Sequence, residues 1–402
     1  MTAQIVLISG AGIGGPTLAY WLKAAGFEPT IIEHAPTLRS GGYVIDFWGL
    51  GYDIAERMGL IKEINQAGYH VRDMRIVDVK GARISGFGTT VFHELTGGRY
   101  VTVARSALSQ LLFKKVDRDI ETIFGDQIIE IDDQKTHVRV RLESGAERRF
   151  DFVVGADGLH SAVRRLVFGP QDRFEKRLGY VVAAFEAPGY RPRNEDVYVM
   201  YNEPGRMVGR VSLRGDKTLF LFIFAEDADT PMHDLPAQKC LVRTKFGSSG
   251  WECRGILDAL DDAPELYFDR VSQIHMEHWS RGRVALVGDA AYCVSLLAGQ
   301  GSALAMIGAY ILAGELAKAR GKHDIAFDNY EKLLRTSVEK KQRGAAGFAS
   351  ALAPKTRLGL FFRNRSSERR PFQGSPGIRF GAILSIRYNS LTISGHARPS
   401  WA

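Results

Sequence analysis

The sequence predicts an α/β protein in which a domain built on a parallel sheet is interleaved with a second, β-sheet domain and followed by a C-terminal helix. Three segments, beginning near Ile5, Asp151 and Arg283, predict the parallel sheet. Each is an apolar run, typical of a buried strand, that ends in glycine or an acidic residue. The turn-rich stretches between them alternate like strands and predict the second domain. The 402 residues, 45% of them hydrophobic, suffice for two closely joined domains.

The first segment carries the fingerprint of a Rossmann-like dinucleotide-binding motif. A short apolar strand leads into Gly10-x-Gly12-x-x-Gly15, with an additional Gly14, and a helix follows. The glycines permit a tight turn, close approach of the backbone to a pyrophosphate and close helix packing. Glu33, at the end of the next strand, can accept hydrogen bonds from both ribose hydroxyls and would repel a 2′-phosphate. FAD or NAD therefore fits this motif, NADP does not, and an ordinary glycine-rich turn is the alternative.

The chain between the first and second segments is rich in strand-like runs. Residues 69–100 contain short runs of this kind separated by glycines. A strand at 101–103 then leads into a helix predicted over 107–116, with Ser106 as its N-cap. Further strand-like runs precede the second segment, so antiparallel strands interrupt the parallel sheet.

The second and third segments place polar groups at the ends of their strands. In the second segment a buried strand ends just before Asp157 and Gly158. In the third, Asp289 follows the strand, and the turn Gly299-Gln300-Gly301 opens a helix rich in small residues. Ligands bind α/β sheets at the carboxyl ends of the strands. We therefore expect Asp289 to bind ligand hydroxyls and the amides of the turn to face an electron-accepting ring, whereas Asp157 with Gly158 could also be a simple turn.

The net charge of +8 is concentrated at the C-terminal end. Residues 363–402 contain seven arginines and one glutamate, an excess of six positive charges, so the rest of the chain is nearly neutral. That body lacks the basic footprint of a nucleic-acid-binding protein. The tail is rich in turn formers and predicts irregular chain, either solvated or a basic docking segment.

Cysteine content and hydropathy favour a cytoplasmic protein without membrane contact. Cys240, Cys253 and Cys293 show no CxxC spacing, so neither a disulfide framework nor a metal site is expected. No apolar run reaches the roughly 18 to 20 residues of a membrane span. No basic residue precedes the N-terminal apolar stretch, as it would in a secretory signal.

Taken in order, the three segments resemble a known enzyme family. The motifs are Gly10-x-Gly12-x-x-Gly15, then Asp157-Gly158 with Ser161 and Arg164, then Gly288-Asp289-Ala290-Ala291 with Gly299-Gln300-Gly301. This order is similar to that of the single-component FAD-dependent aromatic hydroxylases of the p-hydroxybenzoate hydroxylase type, the group A flavoprotein monooxygenases. Within that family the chain looks most like the tetracycline-inactivating monooxygenases. The resemblance covers about residues 5 to 345.

The resemblance implies tightly bound FAD, with NADH or NADPH as a transient reductant. By resemblance, Glu33 holds the adenosine ribose, Arg105 contacts the flavin side of FAD and Asp289 holds the ribityl chain. Asp157 and Gly158 serve both FAD and the nicotinamide cofactor. The implied activity transfers one oxygen atom from O2 to an aromatic or polyketide-like small molecule through a flavin C4a-hydroperoxide.

The motifs also divide the chain. The predicted division assigns residues 1–72, 101–178 and 281–345, the last with a long helix, to the FAD-binding domain, residues 73–100 and 179–280 to the substrate domain, and residues 346–402 to a C-terminal segment that is basic and irregular after about residue 363.

Four side chains are predicted to line the substrate pocket. Arg210, in an apolar strand, could bind a phenolate, carboxylate or ketone oxygen, and Phe222 belongs to an aromatic face of a neighbouring strand. Met200 and Leu296 complete the predicted pocket. A structural ion pair for Arg210 and core packing for Phe222 are the alternatives. The chain departs from the family pattern at Tyr292 and Leu296, where the family usually has His and Pro.

Two other functions stay open from the sequence. The chain could be another flavin oxidoreductase on the same fold, although the Trp-x-Trp-x-Ile-Pro motif of flavin halogenases does not occur. It could also be a catalytically silent flavin-binding protein. The expected partners are a small aromatic substrate and O2, with neither nucleic acid nor a membrane, and the expected state is a monomer or homodimer.

Overall fold

The computed structural model describes residues 3–39, 41–88, 93, 96–227, 230–354, 356 and 358–360. It confirms the predicted α/β fold class, because helices flank two large sheets. Within this described part, no helix is both long enough and apolar enough to cross a membrane. The basic tail predicted after residue 363 lies outside the described residues.

The described strands and α-helices are numbered here in chain order. The strands are β1 (Ile5–Ser9), β2 (Glu28–Glu33), β3 (Val44–Trp48), β4 (Asp73–Val77), β5 (Arg83–Gly88), β6 (Tyr100–Ala104), β7 (Thr122–Phe124), β8 (Ile128–Asp133), β9 (Val138–Leu142), β10 (Glu147–Phe150), β11 (Phe152–Gly155), β12 (Glu175–Pro188), β13 (Val197–Glu203), β14 (Arg206–Leu213), β15 (Lys217–Ala225), β16 (Tyr267–Ile274), β17 (Ser280–Arg281) and β18 (Val284–Leu286). The helices are α1 (Gly14–Ala24), α2 (Leu50–Arg57), α3 (Ile61–Ala67), α4 (Arg105–Lys114), α5 (Ala162–Val167), α6 (Leu235–Phe246), α7 (Cys253–Asp262), α8 (Asp289–Tyr292), α9 (Gly301–Lys318) and α10 (His323–Leu352).

The first large sheet has six strands in the order β17-β18-β11-β1-β2-β7. All neighbours in it are parallel except β17 and β18. Ile8 of β1 pairs with Val154 of β11 on one side and with Ile31 of β2 on the other, and all three side chains are fully buried. Because these strands are parallel, the carboxyl ends of β1, β2, β11 and β18 meet at one edge of the sheet.

The second large sheet has seven strands in the order β16-β12-β15-β14-β13-β4-β5. Strands β4 and β5 come from residues 73–88, whereas the other five come from residues 175–274. The parallel pairing of β4 with β13 joins the two stretches. The chain therefore leaves the six-stranded sheet twice to build the seven-stranded one. Two small sheets, β3-β6 and β8-β9-β10, complete the described strands.

The seven-stranded sheet has two differently covered faces, because side chains alternate along each strand. One face, called the back face here, carries Phe222 and packs against Phe246 of α6, with ring centroids 4.8 Å apart. The opposite face, called the front face, carries Met200 and Ile223. Leu297, from the loop that precedes α9, packs against this front face.

Two local features differ from the sequence analysis. Ser106 is not an N-cap, because α4 already begins at Arg105, whose amide donates to the carbonyl of Tyr43 (3.0 Å) as the strand runs directly into the helix. Helices α6 and α7 lie in the stretch predicted to form a β-sheet domain. They are stabilised by burying apolar side chains on the back face, a contact that local sequence does not reveal.

Candidate active site

The carboxyl edge of the six-stranded sheet brings the predicted cofactor residues together. Glu33 ends β2, and Asp157 and Asp289 lie just beyond the ends of β11 and β18. Arg105 reaches the same edge from the start of α4, and its Nη2 would lie 3.8 Å from a Cβ placed on Gly12. The three sequence segments therefore form one site.

Two glycines shape the loop between β1 and α1. Gly10 has a φ of +106°, and a Cβ placed on it would lie 2.6 Å from the carbonyl oxygen of Ala156. A Cβ placed on Gly15 would overlap the carbonyl oxygen of Gly10. Because both contacts involve backbone atoms, side-chain movement cannot relieve them. The loop therefore needs glycine at both positions and leaves its backbone open to a ligand.

Glu33 connects this loop to the end of β2. Its Oε2 accepts a hydrogen bond from the amide of Ala11 (2.8 Å), and its Oε1 accepts one from the amide of Ala35 (3.0 Å). Each carboxylate oxygen has a further acceptor position. The side chain is only partly buried, so it can hold the loop and also accept hydrogen bonds from ribose hydroxyls.

Replacing Glu33 with lysine should weaken FAD binding by about 2 to 3 kcal/mol, because each hydrogen bond to a charged group contributes about 1.5 kcal/mol. The expected result is a rise of roughly 30- to 150-fold in Kd, measured by flavin fluorescence during titration of the apoprotein. Glu33→Gln keeps one acceptor oxygen, so its Kd for FAD should rise less than that of Glu33→Lys. An unchanged Kd in Glu33→Lys would show that Glu33 does not face the cofactor.

Arg105 and Asp289 form the charged part of the site. Burial lowers the pKa of the Arg105 guanidinium, but the Tyr43 and Asp289 side chains more than offset this and raise it above its usual range. Burial raises the pKa of Asp289, while Arg105 and a hydrogen bond with Cys293 oppose that rise. Asp289 lies 3.4 Å from the position of a Cβ on Gly301. The carboxylate is therefore next to the start of α9, where it can accept hydrogen bonds from a polyol.

Asp157 is largely engaged by the helix that follows it. Its Oδ1 accepts from the hydroxyl of Ser161 (2.5 Å), and its Oδ2 accepts from the amide of Val163 (3.1 Å). Burial raises its pKa, and the Ser161 hydrogen bond opposes that rise. The fully buried Arg164 donates from Nη1 to the carbonyl of Ala290 (2.9 Å), which ties the second segment to the third.

The N-terminus of α9 completes the site. Gly299 ends a short 3-10 turn, and Gln300 occupies the N-cap position of α9 without a side-chain hydrogen bond to the helix. The first amides of a helix have no partner within it and carry partial positive charge. Here they can face an electron-rich edge of a bound ring, such as the pyrimidine of a flavin.

These features fit FAD. A Cβ on Gly12 would meet nothing closer than Nη2 of Arg105 at 3.8 Å, so the loop keeps open space beside its backbone, as a pyrophosphate requires. Glu33 offers hydrogen-bond acceptors at the end of β2. Asp289 offers a second carboxylate beyond the end of β18, three strands away along the same edge of the sheet. Among the described residues, no group of three or more His, Cys, Asp or Glu side chains is arranged to hold a metal ion.

The four predicted substrate residues do not share one pocket, which corrects that part of the sequence analysis. Met200 and Leu296 both belong to the apolar cluster on the front face. Arg210 and Phe222 lie on the back face, because they occupy the opposite alternation on β14 and β15. Phe222 is fully buried in the aromatic core. Arg210 forms an ion pair with Glu252 of the segment before α7 (2.9 Å).

The structure adds residues that the sequence analysis missed. Tyr43 and Tyr267 make an edge-to-face ring contact, with centroids 5.4 Å apart, and both interact electrostatically with Arg105. Burial raises the pKa of Tyr43 to about 12.

Lys341 of α10 donates to the side chain of Gln300 at the start of α9. Burial and the neighbouring Lys340 lower the pKa of Lys341 to about 8. No local sequence pattern marks Tyr43, Tyr267 or Lys341 as a site residue.

A histidine–aspartate pair lies beside the second segment. The Nε2 of His160 is 3.0 Å from Oδ2 of Asp269 on β16. This hydrogen bond raises the His160 pKa above its ordinary value of 6.5, although partial burial opposes the rise. Because the folded-state pKa is raised, the contribution of the pair to stability is present below about pH 6.5 and is lost as pH rises through the folded-state pKa.

We expect an NMR titration of the His160 ring to give a midpoint above 6.5, and Asp269→Asn to move that midpoint down. Glu130→Gln, which neutralises a carboxylate paired with Arg141 on another sheet, is the control and should leave the His160 midpoint in place. A His160 midpoint that Asp269→Asn leaves in place would contradict the assignment.

Comparison with known proteins finds relatives that match most of this chain. A family described as "FAD binding domain" matches residues 3–340. An uncharacterised protein of Mycobacterium tuberculosis is 39% identical over 345 residues, covering 84% of this chain and 92% of the relative. A flavin-dependent monooxygenase from an unknown prokaryotic organism is 36% identical over 352 residues, 85% of this chain and 88% of the relative.

A solved structure shows the same architecture. The crystal structure of tetracycline destructase Tet(51) superposes with a TM-score of 0.79 at 32% identity and covers 91% of this chain and 95% of that one. The family resemblance, the FAD cofactor and the monooxygenase class predicted from the sequence are thereby confirmed. Use of NAD(P)H and O2 is typical of such enzymes. The chain belongs to the FAD-binding family of flavin-dependent monooxygenases.

Proposed function

We propose that this monooxygenase hydroxylates a flat, largely apolar aromatic or polyketide-like molecule bound at the front face of the seven-stranded sheet. One observation carries the proposal. Met200, Met207 and Ile223 of that face pack in one cluster with Leu296 and Leu297, from the loop that leads into α9. The surface suited to an apolar substrate is therefore continuous with the element whose amides face the cofactor site.

The cofactor residues have distinct proposed roles. Glu33 binds the adenosine ribose, Asp289 binds the ribityl chain, and Arg105 contacts the flavin side. Asp157 and Gly158 serve FAD and the nicotinamide reductant from the second segment. Bound FAD, reduced by NAD(P)H, supplies the activation of O2 for transfer of one oxygen atom.

The chain itself contributes binding, orientation and exclusion of water. The leucines of the loop before α9 and the methionines of the front face keep the reacting region apolar. Methionine is flexible and polarizable, so this surface can adapt to substrates of different outline. Tyr43 and Tyr267 can donate hydrogen bonds to substrate oxygens, since phenols are protonated at neutral pH and burial raises the pKa of both further. The likeness to a tetracycline destructase supports including multi-ring polyketides among the candidates.

The test is an aerobic screen of aromatic and polyketide compounds with NADH and NADPH supplied separately. The expected result is NAD(P)H oxidation that depends on an added compound, together with a product heavier by one oxygen atom in mass spectrometry. Oxidation that yields only H2O2 with every compound would contradict the proposal and favour a different flavin oxidoreductase. Complete absence of NAD(P)H oxidation would favour a silent flavin-binding protein.

A pair of variants tests the location of the pocket. Leu296→Trp should obstruct the proposed front-face site and raise KM for the compound at least tenfold, with FAD content unchanged. Leu166→Trp, the same change at an exposed leucine of α5, is the control and should leave KM unaltered. Equal KM values in both variants would place the substrate elsewhere.

A cytoplasmic location and a monomeric or homodimeric state are also part of this proposal.

A further inference from the structure

A cavity lies on the back face of the seven-stranded sheet. Its volume is about 650 Å³, within the usual range for small-molecule sites. It lies between the β4–β5 hairpin and the segment that precedes α7, and Arg210 and Val199 are among its lining residues. The whole thickness of the sheet separates it from Met200 and Leu296. It is therefore distinct from the site proposed for hydroxylation.

Arg210 forms the floor of this cavity, with a side chain that is only 3% exposed. Its Nη2 donates to Oδ1 of Asn194 (2.9 Å) and to Oε1 of Glu252 (3.1 Å). Its Nε lies 2.9 Å from Oε2 of Glu252, in an ion pair too bent for a hydrogen bond. Its Nη1 donates to no residue that the structure describes. A buried guanidinium thus offers unused donor capacity at the floor of a cavity, where such donors normally have an acceptor.

The rim of the cavity is positively charged. Arg75 and Arg83, on the same face as Arg210, both contact Asp73, at 2.6 and 3.1 Å. Lys80, in the hairpin turn, forms no ion pair with a described side chain. The carboxylates of Asp73, Glu252 and Asp78, the last bonded to the amide of Lys80, balance three of these four cations, which leaves an excess of one positive charge. The cavity therefore attracts an anion.

An aromatic wall stands beside these charges. The ring centroid of Trp251 lies 5.7 Å from the guanidinium carbon of Arg210. Val77, Val79 and Pro192 add apolar lining, and Val79 is 57% exposed. A flat ring can pack against Trp251 while a negative group attached to it reaches Arg210 and the rim.

We propose that this cavity is a second ligand site that binds an aromatic carboxylate. The carboxylate accepts hydrogen bonds from Nη1 of Arg210 and is attracted by Lys80 and Arg83. The ring packs against Trp251. Binding at this site involves no reaction and does not depend on the hydroxylation proposed above.

The experiment titrates the FAD-loaded enzyme with 2-naphthoate and with the neutral 2-naphthamide, using isothermal titration calorimetry. Because the two probes share the ring system, their difference reports the negative charge. We expect the Kd for 2-naphthoate to be at least tenfold lower. The double variant K80Q/R83Q should weaken 2-naphthoate binding at least fivefold and leave 2-naphthamide unchanged. Both side chains lie at the exposed rim, so the folded core is not disturbed.

Two controls locate the binding. Arg141→Gln removes a surface arginine paired with Glu130 on another sheet and should change neither Kd. Met200→Trp blocks the front face and should also leave 2-naphthoate binding intact. The proposal is overturned by equal affinity for the two probes, by an unchanged Kd in K80Q/R83Q, or by loss of binding in Met200→Trp. The last result would place the probe in the hydroxylation site.

Discussion

Replacing Arg210 with methionine should lower the free energy of unfolding by about 3 to 5 kcal/mol, because it leaves the carboxylate of Glu252 in the protein without its cationic partner. Arg210 is almost fully buried and contacts Glu252 through two nitrogens. The loss is measured by urea denaturation of the FAD-loaded enzyme. In the fraction of Arg210→Met that remains folded, the amount of product formed per NAD(P)H oxidised should equal that of the unchanged enzyme. Arg210 lies on the back face, away from the proposed substrate.

A second variant separates the ion pair from general packing. In R210M/E252Q neither charge remains, so most of the lost stability should return. The control Arg139→Gln breaks an exposed ion pair with Asp132 and should leave the free energy of unfolding nearly unchanged. If Arg210→Met is as stable as the unchanged protein but produces H2O2 in place of product, Arg210 acts on the substrate and the back-face assignment is wrong.

Replacing Gly15 with alanine should abolish retention of FAD and destabilise the protein by about 3 kcal/mol, because the new methyl group overlaps the backbone carbonyl of Gly10. The measurement is the ratio of FAD to protein after gel filtration, together with the melting temperature. Gly14→Ala is the matched control, since a Cβ there would meet its nearest atoms at 3.6 Å, an ordinary contact. Retention of FAD by Gly15→Ala would contradict the described loop geometry.

The cofactor side of the site could be predicted from sequence because each part of it is local. A strand, a glycine loop and a helix N-terminus follow one another directly at Gly10–Gly15, and a parallel sheet necessarily brings Glu33 and Asp289 to the same edge. Three short motifs therefore predict both the architecture and the residues proposed to surround FAD. Asp157 is a partial exception, because its oxygens are engaged by Ser161 and Val163.

The substrate side could not be predicted in the same way. The alternation of side chains along β15 correctly places Phe222 and Ile223 on opposite faces of the sheet. It does not show which of the two faces meets the cofactor domain. That choice depends on α6 and α7, which cover the back face, and on the loop before α9, which meets the front face. Tyr43, Tyr267 and Lys341 come from distant parts of the chain, so their proximity is a tertiary property.

Substrate hydroxylation by this chain is tested most directly by a single-turnover series under ¹⁸O2 with the compound that gives the highest substrate-dependent NAD(P)H oxidation. In the unchanged enzyme we expect a product with one ¹⁸O atom, formed in a one-to-one ratio with the NAD(P)H consumed. At a compound concentration well below its KM, we also expect Leu296→Trp to form much less of that product and Leu166→Trp to form as much as the unchanged enzyme. A product that lacks ¹⁸O, or NAD(P)H consumption matched entirely by H2O2, would contradict the claim that this chain is a substrate-hydroxylating monooxygenase.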